Sequence, residues 1–346
     1  MGFNKNRSKY IHERGYFMVS IKDVAKEAGV AISTVSKVLN NYPNVSDETR
    51  KKVYEVVDRL GFVPNSVAAA LSSKRSGRIA LLIKLNSQTQ AIDEINMQYI
   101  SGAIYKAQEL QMDVITIFYS MVSDMSVEEL TRYFTAQSIG GIIIYGMGKE
   151  DTVLHQLIDN GDFKIVVIDA PMVNENTSVV TIDHKQAQKD VAEKAIEGSN
   201  VNSILYIAGK PNGYVTDYRL EGIKEFAKEH QLSLCVKEGD FSELKAREIT
   251  FEYGRDMDVI VCASDLMAIG AMKALIDMDI FHPVCGFDGI ILMGYVGKQM
   301  HTVRQNFAGI SAAAVAELDR LLAGESGQKI VLKHELVRLK YEDIIR

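Results

Sequence analysis

On the stretch ISTVSKVLNN, the side chains Ile32, Ser33, Ser36 and Lys37 share a composition that points away from a core. Small polar and basic groups carried on one helical face suit contact with base edges and phosphate oxygens. A helix must set that face, and the spacing supplies one. From Ile32 onward Val35, Val38 and Leu39 point inward at helical period, which leaves Ile32, Ser33, Ser36 and Lys37 on the other side. Just upstream, Ser20 and Asp23 form the S-x-x-D capping box of a first helix over Ile21–Ala28, striped by Val24, Ala25 and Ala28. Gly29 then supplies the residue most tolerant of positive φ for a tight turn. A third helix begins at Ser46, carries Asp47 and Glu48 in its first turn, and closes at Gly61 after about Leu60. Its Val53, Val56, Val57 and Leu60 complete a small three-helix core. The pattern is that of a helix-turn-helix whose second helix lies in a major groove; a plain helical hairpin without ligand is the alternative.

The charge distribution weighs on the first reading. The chain of 346 residues has a net charge of −6, yet residues 1–78 hold 14 Lys+Arg against 7 Asp+Glu, and the remainder holds 25 against 38. A basic head joined to an acidic body is the electrostatic footprint of a nucleic-acid-binding module attached to something else. Between them, FVPNSVAAALSSKRSG is opened by a proline, is rich in alanine and contains Lys74 and Arg75. A helix of that length is marginal alone, so it reads as a hinge that folds against a partner.

From Arg78 onward, near-continuous apolar runs alternate with helical patterns. RIALLIK, DVITIFY, GGIIIYG and KIVVIDA form one series, and the rhythm resumes with SVVTID, NSILYIAG, LSLCVKEG, DVIVCAS and PVCGFDG. Such alternation implies parallel sheets covered on both faces, here two α/β lobes of four or five strands each. Ligands of open α/β sheets sit beyond the carboxyl ends of the strands. That rule selects residues 86–90, beginning with Asn86, and 145–149, beginning with Tyr145. It also selects Asp169, Asp183, 212–214, Ser264, Asp265 and Asp288.

IKDVAKEAGVAISTVSKVLNN, VSDETRKKVYEVVDRLGFVPN and the hinge resemble the lactose/galactose repressor (LacI/GalR) family of bacterial transcription regulators, in order from about Val19 to near the C-terminus. The resemblance implies an all-α helix-turn-helix head with a hinge helix, then a two-lobed α/β body like a type I periplasmic binding protein, with parallel sheets. The chain would return to the first lobe after about Met300 and cross back near its end. The implied boundaries are a disordered extension over 1–18, a DNA-binding domain over 19–64, a hinge and linker over 65–77, and an effector-binding and dimerisation body over 78–346. Met18 would be the natural beginning.

Residue by residue, the resemblance places Ile32 and Ser33 at base-reading positions and Lys37 at a guanine edge or phosphate. Thr34, Ser36 and Asn40 fall at backbone contacts, and Leu71 at the minor-groove wedge. Ala31 departs from the usual Ser and forfeits a cap or phosphate bond, a loss of roughly 1 kcal/mol. In the body the resemblance implies effector contacts from Arg219 and Asp265 and ring stacking by Phe241, with Asp183, Asn86, Tyr145 and Asp288 at or near ligand positions. Ile223 replaces an aromatic of the family pattern, and His184 stands after Asp183 where Asn or Tyr is usual; His184 reads as a helix-start residue. The loop in KLNSQTQAIDEINMQYISG is longer and more polar than the family's aromatic run, which suits a hydroxyl-rich ligand without selecting one.

The implied function is a DNA-binding regulator, a repressor of carbohydrate-uptake or catabolic genes. It binds a pseudo-palindromic double-stranded operator as a homodimer and is controlled by a sugar or related polar metabolite in the inter-lobe cleft. Control by a protein corepressor, or a solute-binding role, are the alternatives. Neither an enzyme nor a cofactor is expected. YGMGKE lacks the third glycine of a dinucleotide fingerprint, and there is no phosphate-binding G-x-x-x-x-G-K motif or G-x-S-x-G nucleophile turn. Cys235, Cys262 and Cys285 have no metal or disulfide spacing and read as buried thiols in a reducing cytoplasm. No apolar run reaches the roughly 20 residues of a membrane span, and the N-terminal stretch has no apolar segment of the secretory kind.

Overall fold

The computed structural model describes residues 19–39, 42, 44–62, 77–84 and 94–339. The chain divides into two compact units, residues 1–76 and 77–346.

The first unit holds three helices, α1 (Ile21–Ala28), α2 (Ile32–Leu39) and α3 (Asp47–Leu60). Asp23 accepts from the Ser20 backbone N–H at 2.9 Å and from the Ser20 hydroxyl at 2.6 Å, closing the expected cap. Gly29 ends α1 at φ +64, the left-handed conformation that turns the chain into α2. Ser46 accepts from Thr49 N–H at the start of α3, and Gly61 closes it. Val24, Ala25, Ala28, Val35, Val38, Val53 and Val56 form the core with Phe62, while Val57 and Leu60 pack at its margin. Because Val35 and Val38 bury one face of α2, Ile32, Ser33 and Lys37 are exposed on the other. Thr34 and Ser36 are half-buried at the border. Asn40, Leu71 and most of the expected hinge over 65–77 lie outside the described residues.

The second unit contains two six-stranded sheets. The first is built from β1 (Arg78–Ile83), β2 (Asp113–Phe118), β3 (Gly141–Tyr145), β4 (Lys164–Ile168), β5 (Thr177–Ile182) and β11 (Lys329–Leu332), in the order β11-β5-β4-β3-β1-β2. All its pairings are parallel. The helices of this lobe are α4 (Glu94–Glu109), α5 (Val127–Ala136), α6 (Thr152–Asn160) and α11 (Phe307–Leu322). Alternate residues of its strands serve opposite faces. Ile79, Leu81, Ile83 and Ile143 join Ala103 of α4 and Ala314 of α11. Ala80, Leu82, Ile142 and Ile144 join Phe134 of α5 and Leu157 of α6.

The second sheet is built from β6 (Ser203–Ala208), β7 (Ser233–Glu238), β8 (Val259–Cys262), β9 (Val284–Asp288), β10 (His301–Arg304) and β12 (Glu335–Arg338), in the order β12-β10-β9-β8-β6-β7. Only β12 runs antiparallel, against β10. Its helices are α7 (His184–Ile196), α8 (Tyr214–Glu229), α9 (Glu243–Tyr253) and α10 (Asp265–Asp277).

Two expectations are corrected. SVVTID does not open the second series: it is β5, paired along Ile165↔Thr177 to Ile168↔Val180 with β4 and buried throughout, so it belongs to the first sheet. Each lobe has six strands rather than four or five, because the chain crosses between lobes three times. It passes over after β5, returns between Arg304 and Phe307, leaves β11 in the first sheet and crosses again to β12. The strand order reverses between β1 and β3 and between β6 and β8, so each lobe turns a crevice at strand carboxyl ends toward ligand.

Candidate functional site

At those carboxyl ends a linked cluster joins the lobes. Asp169 follows β4 at φ +62, a strained conformation that Asp tolerates better than most residues. Its Oδ1 accepts from the Thr181 hydroxyl at 2.7 Å and from His184 Nε2 at 2.9 Å. On the far side of the imidazole, Arg219 of α8 reaches His184 Nδ1 with Nε at 3.4 Å and Nη2 at 3.3 Å. Arg219 Nη1 donates to the Ala263 carbonyl at 2.5 Å and stands 3.6 Å from Asp288 Oδ1. The guanidinium carbon lies 3.7 Å from the centre of the Phe287 ring, a cation–π contact in a dry setting. Gln305, just past β10, donates from Nε2 to Asp288 Oδ1 at 3.0 Å.

Burial raises the Asp169 carboxyl, but the His184 contact, the Thr181 bond and the Arg219 charge outweigh it and hold Asp169 below the ordinary carboxylate value. Burial is also the largest influence on His184; it lowers the imidazole below 6.5 against the opposing pull of Asp169. Asp288 is pushed up to about 6 by burial, with Arg219 working the other way. Around this cluster Tyr99 of α4 packs 4.8 Å from the Tyr145 ring and 5.2 Å from Phe307. Burial first, then the Asp169 charge, raise the Tyr99 phenol well above 10.

The residues expected at the effector site divide into groups. Arg219 and Asp288 face each other in the cluster. Asp265 is fully buried beneath them: its Oδ2 accepts from Gly289 and Ile290 N–H at 2.7 and 2.8 Å, and its Oδ1 from the Thr302 hydroxyl at 2.5 Å. Oδ2 thereby braces the loop that follows Asp288, and Oδ1 ties α10 to β10. Tyr145 is buried, with its hydroxyl 2.5 Å from Ser311 Oγ. Phe241, at φ +58, lays its ring directly on Gly209, where a Cβ would come within 2.1 Å of Phe241 Cζ. Asp183 caps α7 by accepting from Gln186 N–H at 3.0 Å, and lines a cavity of about 250 Å³ with Lys185, Tyr218, Glu221 and Lys329. Asn86 lies outside the described residues.

His184 is indeed the first residue of its helix, and the ring is also the bridge between Asp169 and Arg219. Gln305 and Tyr99 were not anticipated. The rule of strand carboxyl ends selects Gln305 once β10 is recognised; nothing in the local pattern around Tyr99 marks it. At the rim the lobes meet again. Lys149 pairs with Asp217, Asn212 Nδ2 donates to Glu150 at 2.5 Å, and Ile291 N–H donates to Glu94 at 2.9 Å.

A helix-turn-helix head and a two-lobed body with a polar, charged cleft define a regulator with a ligand-binding body. The model for bacterial regulatory proteins of the lacI family matches residues 20–65, and that for the periplasmic binding protein domain matches residues 83–326. The chain belongs to the lacI family, and it is a DNA-binding transcriptional regulator. It is 29% identical over 339 residues to catabolite control protein A of Staphylococcus epidermidis, covering 92% of this chain and 97% of the relative. It is likewise 29% identical over 342 residues to the HTH-type transcriptional regulator RegA of Clostridium saccharobutylicum, with the same coverage of 92% and 97%. Its fold matches the Lac repressor bound to ONPG with a TM-score of 0.77 at 24% identity, covering 92% of this chain and 98% of that one. It matches a CelR–cellobiose complex with a TM-score of 0.68 at 24% identity, covering 92% and 99%. Among the described residues no helix is long and apolar enough to cross a membrane.

Proposed function

We propose that this regulator represses carbohydrate-uptake or catabolic genes from the cytoplasm. It binds a pseudo-palindromic operator as a homodimer and responds to a hydroxyl-rich saccharide held between the lobes of its body. It acts by binding, with no catalysed step. Operator and saccharide each prefer one arrangement of the body, so each changes the affinity of the other by the same factor.

The observation that carries this reading is the fixed guanidinium of Arg219. Phe287, Ala263 and His184 hold it in place beside Asp288, so its outer N–H groups and a carboxylate stand ready together. A guanidinium fork with an adjacent carboxylate accepts and donates to vicinal hydroxyls. Gln305 Oε1, buried and without a hydrogen-bond partner among the described residues, adds an acceptor. Phe241 supplies an apolar face for a sugar ring, and Asp265 acts through the Asp288 loop. The cellobiose and ONPG held by the two structural relatives agree with this chemistry.

For DNA, the exposed Ile32, Ser33 and Lys37 of α2 read the major groove, with Thr34, Ser36 and Asn40 on the backbone and Leu71 at the minor groove. Dimerisation is supported by exposed apolar side chains on neighbouring elements of the second lobe: Leu244, Phe251, Ile276 and Phe281. The test is a thermal-shift panel on the full chain with cellobiose, other neutral sugars, sugar phosphates, amino acids and nucleobases. Saccharides should raise the melting temperature of the wild type and leave Arg219→Ala unmoved. A response confined to amino acids or nucleobases would overturn the saccharide assignment.

A further inference from the structure

We propose that His184 is a positioning residue: its unprotonated Nδ1 holds the Arg219 guanidinium toward the cleft, and a proton at Nδ1 releases it. This rests on the effector reading above and adds to it a means of regulation.

The geometry fixes the tautomer. Arg219 has only donors, and both Nε and Nη2 point at His184 Nδ1. That nitrogen must therefore accept, which places the ring proton on Nε2, where it donates to Asp169 at 2.9 Å. The His184 side chain is 1% exposed and its ring stacks at 25° on Phe287, the same ring that supports Arg219. The imidazole consequently has one orientation, and its lone pair has one target. Of the other partners of Arg219, Phe287 supports the plane of the guanidinium, Ala263 holds Nη1 and Asp288 stands at 3.6 Å from Nη1, so the Nε–Nη2 edge is held by His184.

A second proton would put an N–H at Nδ1 against a guanidinium that offers only N–H groups. The lone-pair contact would become a like-charge contact in a buried place. The charged groups around the ring are Asp169 at the end of β4, Asp183 at the cap of α7, Arg219 on α8 and Asp288 beyond it. Asp169 and Asp183 favour the proton, whereas burial and Arg219 oppose it, and the imidazole is lowered on balance. His184 is therefore neutral at neutral pH and gains its proton only on acidification. Effector affinity should accordingly fall toward acid and recover as pH rises.

The experiment uses the full-length chain labelled with nitrogen-15 in histidine and arginine. Nuclear magnetic resonance reads the His184 tautomer and the Arg219 Nε–H signal across the acid range, with signals assigned by substitution. In the wild type, His184 should carry its proton on Nε2. The Arg219 Nε–H signal should be protected from exchange and fade as His184 titrates. His184→Asn retains an acceptor near the Nδ1 position but does not titrate, so the Arg219 signal should persist there. His184→Leu should lose it at every pH. An Nδ1–H tautomer, or fading in His184→Asn at the same pH as in the wild type, would overturn the proposal. The second result would assign the change to Asp288 or Asp265. Should His184→Leu fold poorly, the wild-type and Asn profiles decide the matter by themselves. No effector is needed, so this result and that of the saccharide panel stand or fall separately.

Discussion

Replacing Asp265 by Asn should stabilise the chain in mild alkali, by an amount that shrinks as pH falls and vanishes at about pH 4. Asp265 is fully buried, with two backbone N–H groups on one oxygen and the Thr302 hydroxyl on the other. Burial first, then the charge of Asp288, push its carboxyl from 3.8 up to about 7. A carboxyl that holds its proton more tightly in the folded chain makes the fold lose stability as pH rises from about 4 through about 7; above that the deficit is constant. Each tenfold change in proton affinity is worth about 1.4 kcal/mol, so the full displacement corresponds to about 4 kcal/mol. Asp265 and Asp288 titrate as a pair, so roughly half of that, about 2 kcal/mol, falls to one substitution. Asparagine keeps an oxygen for Gly289 and Ile290 N–H, and its NH₂ donates to Thr302 Oγ1 in place of the acid proton. Urea unfolding of the full-length wild type and Asp265→Asn should nearly coincide at about pH 4, and separate progressively to about 2 kcal/mol in favour of Asn near about pH 8, at equal m-values. A variant less stable in alkali, or a difference independent of pH, would show that the Asp265 carboxyl does not hold its proton in the fold.

Other outcomes follow from the same geometry. Lys37→Ala should weaken operator binding and reduce the slope of log affinity against log salt by about one, as read from titrations at several salt concentrations. Arg219→Ala removes a buried charged partner and should lower saccharide affinity about 30-fold or more, measured by calorimetry, while operator binding persists. Gly286→Ala would place a Cβ 2.2 Å from Asp265 Oδ1. It should destabilise the chain by about 1–3 kcal/mol in urea unfolding, through overpacking of the Asp288 support.

The head was legible in the sequence because its punctuation is local. Ser20 with Asp23, Gly29 and Gly61 mark helix ends by chemistry that does not depend on the rest of the fold. The body's inner strands were legible as apolar runs, since both faces of each sheet are covered. Lobe membership was not, because the rhythm of strand and helix continues unbroken across the first crossing; only pairing with β4 assigns SVVTID to its sheet. β11 and β12 were missed for another reason: KIVL and ELVR are four residues each, partly exposed, and carry little apolar signal. The cleft was legible in part. Arg219 and Asp288 follow from motif and strand-end rules, but the bridge from Asp169 through His184 joins segments far apart in sequence. Tyr99 and Gln305 reach the site only through packing of helix and strand that no local pattern announces.

The most direct test of a DNA-reading, effector-controlled regulator is selection by the full-length chain from a pool of randomised DNA duplexes, followed by titration of the recovered duplex with and without saccharide. Enrichment of a pseudo-palindrome with two half-sites is expected, with an affinity for it that shifts when the saccharide is added. Recovery of no preferred sequence, or of a site whose affinity no saccharide alters, would contradict that function.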